Sequence, residues 1–239
     1  PEKMSQAAKI VEEKADIIDI NLGCPDQDVL AGQAGAFLIK HPEQMVKVVS
    51  RVVSSVNKDV TAKIRIGWDD KSINAVEVSK LLEDCGVAAI AVHGRTRKQM
   101  YTGKADWDVI KQVKEKVNVP VIGNGDIFKA VDYNAMMEKT NVDFVMIGRG
   151  AMGNPQLFEN CIRLVGEKEL IEKDLKLAYG YFLEFLDYYK KYSIRDNLSE
   201  IRQHAMWLVK GVRNSASLKN NLSHIKDIDG LKSVFENFK

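Results

Sequence analysis

A chain of 239 residues, 45% of them hydrophobic, can bury the core of one large domain or of a large and a small one. Its 35 basic and 33 acidic residues nearly cancel, which excludes a global field for a polyanion and leaves only a local nucleic-acid surface. No apolar run approaches the roughly 18 residues of a membrane span.

The chain opens in a helical pattern, MSQAAKIVEEKA, with no signal peptide visible. DIIDINL, residues 16–22, reads as an apolar strand. A helix is expected over 41–57, because Met45, Val48, Val49, Val52 and Val56 recur at helical spacing. VTAKIRI is the next strand, INAVEVSKLLEDC a helix with Gly86 closing it, and VAAIAVH a third strand. Asp106 is placed to cap DWDVIKQVKEKV. VPVIGN is a strand, KAVDYNAMMEKT a helix and VDFVMIG a last strand. Strand starts near 16, 60, 87, 119 and 142 have the rhythm of βα units. Val- and Ile-rich strands without strict alternation suggest a parallel sheet covered on both faces.

Each strand keeps its polar chemistry at its C-terminal end: Asn21 and Cys24, Lys63 and Arg65, His93 and Arg95, Asn124 and Asp126, then Arg149. In a closed parallel barrel those ends form one lip, where active sites lie. An open doubly wound sheet would concentrate its site at one switch point. The expected fold is therefore α/β, a partial TIM (β/α)8 barrel with about five of the eight units. A helix at the start with no strand before it fits a chain cut after its third strand. After about Gly166 strand patterns cease and helical ones take over, so a barrel over 1–166 and a small all-α domain over 167–239 are expected.

Lys63 and Arg65, two apart, share one strand face. They either meet an anion or an electron-rich ring, or snorkel to solvent. PVIGNGDI and MIGRGAMGNP are glycine loops after the last two strands, and Asn154 and Pro155 read as cap and first residue of a short helix. With Arg149 they would form an anion pocket at the usual barrel phosphate site; turn glycines alone are the plainer reading. His93 is a structural residue or part of the lip, Tyr101 packs a loop or covers a planar substrate, and Trp107 belongs to the core. Three dispersed cysteines without a CxxC pair argue against a disulfide framework and a zinc site. Cys85 and Cys161 fit inert packing thiols. Cys24 follows Asn21 in a turn stiffened by Pro25, with no activating base beside it in sequence. An ordinary thiol, with a pKa of about 8.5, is mostly protonated at neutral pH, so proton donation is its better role.

INLGCP, AGAFLIKHPE, AKIRIGWDD, AVHGRTRKQMYTGKADW, VIGNGDI and VMIGRGAMGNPQLF together resemble the ordered signatures of the tRNA-dihydrouridine synthases, in particular the bacterial, nitrogen-regulation-type branch. IRQHAMWLVKG resembles that family's RKH-W-KG segment, while Lys219 stands where the family has Arg. The resemblance implies an FMN-dependent barrel reducing a tRNA uridine to 5,6-dihydrouridine, with NADPH reducing the flavin. Hydride then goes from flavin N5 to uracil C6, and a cysteine in the position of Cys24 protonates C5 from the opposite face. Asn21, Arg65 and Tyr101 match uracil-gripping positions, and Lys63 and His93 match flavin-contacting ones. Asn124, Gly125, Asp126, Gly148 and Arg149 match the cofactor's phosphate side. The family's first strand with its Pro-Met turn, and a third-strand Gln, have no counterpart here. The helical tail resembles the tRNA-docking domain, where Arg202 and Lys210 flank the apolar stripe Ala205, Leu208, Val209 and Val212 and suit phosphate contacts. A cytoplasmic monomer without metal is expected. A flavin barrel acting on a free pyrimidine, like a dihydroorotate dehydrogenase, and an inactive tRNA-binding fragment are the alternatives.

Overall fold

A computed structural model describes residues 1–238. In chain order it has α1 (Glu2–Glu12), β1 (Ile17–Asn21), the short helices α2 (Gln27–Ala31) and α3 (Phe37–Lys40), and α4 (Pro42–Val53). These are followed by β2 (Asp59–Arg65), α5 (Ala75–Asp84), β3 (Ala89–His93), α6 (Trp107–Lys116), β4 (Val121–Asn124), α7 (Ala130–Thr140) and β5 (Phe144–Met146). A 3-10 turn at Arg149–Ala151 leads into α8 (Gln156–Val165), α9 (Leu175–Tyr192), α10 (Leu198–Leu208), α11 (Ser215–Ser223) and α12 (Ile228–Asn237).

The five strands pair in parallel in the order β1-β2-β3-β4-β5. Each strand neighbours its predecessor and no switch point interrupts the series, which is the arrangement of a barrel arc rather than of a doubly wound sheet. The fold is thus α/β, with five of a (β/α)8 barrel's units followed by helices. Register sets Asn21 beside Lys63, Arg65 beside His93, and His93 beside Asn124.

Burial follows from the βα connections. Every crossover helix returns on the same side, so Ile18, Ile20, Val60, Ala62, Ile64, Ile90, Val92 and Val121 pack beneath helices. Helix α4 docks through Met45, Val49 and Val52, all at most 1% exposed. Each such side chain contributes roughly 1.5–3 kcal/mol, which a helix of this length lacks in isolation. The expectation of a sheet covered on both faces is corrected. Burial alternates along β1, and Ile17 and Phe144 on the opposite face are more than half exposed.

By contacts the chain forms two compact units, one of Pro1–Ile127 with Asp132–Gly148, the other of Phe128–Val131 with the chain from Arg149 onward. The second has its own core, built on Phe182, Ile201, Ala205, Val209, Leu218, Leu222, Leu231 and Phe235. Among the described residues no helix is long and apolar enough to cross a membrane.

Candidate active site

The lip begins with the turn that carries Cys24. The Asn21 side-chain oxygen accepts the Gly23 N–H at 3.1 Å, an Asx turn that bends the chain as it leaves β1. The Ala36 N–H donates to the Cys24 carbonyl at 3.0 Å, and the Asp26 carboxylate caps α2 through the Asp28 N–H. Cys24 is thereby held on both sides, and its thiol is half-buried.

Arg65, at the end of β2, is 3% exposed. Its Nε donates to the Gly23 carbonyl at 2.9 Å, and its Nη1 donates to the carbonyls of Thr96 at 3.0 Å and Met100 at 2.9 Å. Its guanidinium lies 5.8 Å from the centroid of the Tyr101 ring. The expected substrate-gripping Arg65 therefore has two of its nitrogens committed to backbone, where they fasten the Cys24 turn to the loop that bears Tyr101. Burial lowers its pKa; Tyr101 and Cys24 act against that and Arg95 with it. Tyr101 keeps an exposed face, and its ring centroid is 6.4 Å from that of His93.

Lys63 is one register step below, next to Asn21. Burial pulls its ammonium below the ordinary lysine value, Arg65 adds to this, and Asp19 opposes it. A cation so placed is relieved by an electron-rich ring or an anion over it. On this observation the inner face of β1 to β4 fits a flavin, with Lys63, His93 and Asn124 as the residues that could hold it. The Asn124 side chain donates to the Met146 carbonyl at 2.8 Å and ties β4 to the edge strand.

Asp126 is engaged within the protein in the same way as Arg65. Its carboxylate pairs with Arg95, itself 2% exposed, through contacts of 2.8 and 2.9 Å, and accepts the Ala105 N–H at 2.7 Å. Its side chain braces the loop, and the backbone of Asn124-Gly125-Asp126 could meet a ligand. Gly125 has φ +128°, and a Cβ there would lie 2.7 Å from Ala105 Cβ and 3.2 Å from the His93 ring. Only glycine allows that approach. Trp107 packs against the core as expected and also donates its indole N–H to the Gly125 carbonyl at 3.1 Å. A Cβ at Gly148 would meet nothing within 4 Å, so that backbone is open to approach.

In the second unit the Arg149 guanidinium is 5.5 Å from the Phe128 ring centroid. Asn154 does not cap α8. Pro155 occupies the cap position, and the Asn154 side chain donates to the Gly150 carbonyl at 3.2 Å. Arg202 donates to the Ile225 carbonyl at 3.0 Å, which ties α10 to the segment before α12, whereas Lys210 is exposed and lies beyond the end of α10. Lys173 was missed by the sequence reading: its ammonium donates to the Gly153 carbonyl at 2.5 Å, and burial first, then Lys210 and Lys219, hold its pKa down to about 8. No local pattern marks such a long-range cluster. Among the described residues no three His, Cys, Asp or Glu side chains gather as metal ligands would, and no disulfide joins Cys24, Cys85 or Cys161.

A parallel barrel arc with a thiol, a stapled arginine, a tyrosine and a histidine at the carboxyl ends of its strands defines an enzyme of the barrel-lip class. The family model of the dihydrouridine synthases (Dus) matches residues 1–239. The tRNA-dihydrouridine synthase B of Pasteurella multocida is 37% identical over 230 residues, covering 95% of this chain and 69% of that protein. Its Escherichia coli K12 counterpart is 36% identical over 251 residues, covering 100% and 76%. Among solved structures, morphinone reductase in complex with tetrahydroNAD is similar at a TM-score of 0.49 and 19% identity, over 72% of this chain and 50% of that one. The chain belongs to the dihydrouridine synthase family and is an oxidoreductase.

Proposed function

We propose that the protein reduces a uridine of tRNA to 5,6-dihydrouridine with FMN as cofactor and NADPH as reductant. The observation that carries this is the fastening of the Cys24 turn and the Tyr101 loop to one buried arginine, Arg65, beside Lys63 and His93. Bound FMN supplies the hydride for uracil C6 and is renewed by NADPH. Lys63 and His93 would hold the flavin ring. Gly125, Gly148 and the backbone at Asn124 and Asp126 take its phosphate side, and Arg149 joins them on the sequence match. Asn21 and Tyr101 orient the uracil, with Arg65 setting the distance between their loops. Cys24 donates its proton to C5 on the face opposite the hydride, so both new C–H bonds form without a free carbanion. The helical unit binds the tRNA, with Lys210 and Arg202 as phosphate contacts.

General acids contribute about 10²–10⁴-fold to such steps. Cys24→Ala is therefore expected to lower dihydrouridine formation in an unmodified tRNA transcript by that factor while the purified protein stays yellow. Full activity in the variant would refute the assignment of Cys24. Loss of flavin absorbance instead would mean that Cys24 serves the cofactor.

A further inference from the structure

The helical unit contains a cavity of about 330 Å³ that belongs to none of the lip residues. Gly153 of the loop before α8 forms one wall, Tyr181, Phe185 and Tyr188 of α9 a second, and His204 and Trp207 of α10 the third. The α9 residues recur at four and three positions and those of α10 at three, so each set lies on one helix face. The rings are already ordered. His204 stacks on Phe185 with centroids 4.2 Å apart and planes 16° apart, and Trp207 meets His204 edge-on at 5.0 Å. The unit's core is built on Phe182 and Phe235 among others, and Tyr181 and Phe185 pack against it, whereas Tyr188, His204 and Trp207 are not part of that cluster. Tyr188 is 64% exposed, so its ring is open to a ligand.

Cations gather at the same wall. The Gly153 carbonyl that accepts the Lys173 ammonium belongs to the cavity lining, and Lys210 and Lys219 are the charges acting on Lys173. Lysines brought together against their own repulsion, next to an aromatic slot, match the two halves of a nucleotide: a flat ring that stacks and a phosphate that neutralises. Glu184 at the rim can accept from a base's exocyclic amine, which uracil lacks.

We propose that this cavity holds one unpaired nucleotide of the RNA substrate, other than the uridine being reduced, with its base against Tyr188, His204 and Trp207 and its phosphate at Lys173, Lys210 and Lys219. The proposal rests on the reading that the protein acts on tRNA. Adenine, cytosine or guanine is favoured over uracil there.

Filter binding of an unmodified tRNA transcript over a salt series tests it, with a fully paired RNA duplex as control. Tyr188→Ala should weaken tRNA binding roughly five- to 150-fold at unchanged salt slope and leave the duplex unaffected, whereas Tyr188→Phe should bind like the parent. Lys173→Met and Lys219→Met should each flatten the salt slope by about 0.7–0.9. Trp207→Leu provides a second probe of the slot, and thermal melts confirm folding of each variant. Tyr188→Ala binding tRNA as tightly as the parent, or losing tRNA and duplex equally, overturns the inference while leaving the proposed function in place. A parent protein that binds no tRNA overturns both.

Discussion

Arg95 and Asp126 are 31 residues apart in the chain and meet as a two-contact ion pair in which the arginine is almost wholly buried. Removing one partner leaves a buried charge uncompensated, which typically costs about 3–5 kcal/mol. Asp126→Ala should therefore lower the urea midpoint by about 3 kcal/mol equivalent at an unchanged m-value, and the double variant Arg95→Met, Asp126→Leu should recover most of it. A loss below about 1 kcal/mol would show that the pair is not a brace. At this scale the sequence indicated which residues stand at the lip, because strand ends and turn chemistry are local. It did not indicate what their side chains hold. Arg65 and Asp126 read as ligand-binding groups, yet their partners are a carbonyl 42 residues upstream and a guanidinium on the preceding strand end. Such partners are fixed by tertiary register alone.

Elements were legible wherever a cap or a period marked them. Asp106 caps α6 through the Asp108 and Val109 N–H groups, and Gly86 follows α5 at φ +89°, as expected. Helix α4 stops at Val53, short of the expected Asn57, and β5 keeps only three of the seven residues expected, because an edge strand has one neighbour to pair with. Helix α9 begins at Leu175, because Asp174 caps it through the Leu177 N–H at 2.7 Å. For helices α11 and α12 the sequence implied no more than a place in the expected all-α domain. Their polar faces weaken the periodic signal, and what orders them is burial of Leu218, Leu222, Leu231 and Phe235 in the second core. The β4–α7 connection carries a sharper expectation. Gly125→Ala forces a Cβ into the space between Ala105 and His93 at a strained φ, at a cost of about 1–3 kcal/mol. The melting temperature should fall and flavin should be retained less tightly, as read by absorbance after dialysis; an unchanged melt with full flavin would contradict this.

Across the whole chain the charges nearly cancel, so pH effects on stability come from particular groups. Lys173 is the clearest, with a folded pKa of about 8 against an ordinary 10.5. Between those values the unfolded chain holds the proton and the folded one does not, so stability rises with pH across that window and the penalty is constant below pH 8. Denaturant melts should show this rise in the parent and lose it in Lys173→Met; parallel curves for the two would refute it. The strand order has a further consequence. Because every strand joins only the one made just before it, the sheet can be laid down as the polypeptide leaves the ribosome, without waiting for distant sequence. The Cys24 turn is finished later, since its clamp Arg65 arrives with β2 but the Thr96 and Met100 carbonyls that hold this arginine come only after β3. During synthesis the foundation is therefore in place before the thiol acquires its final aim.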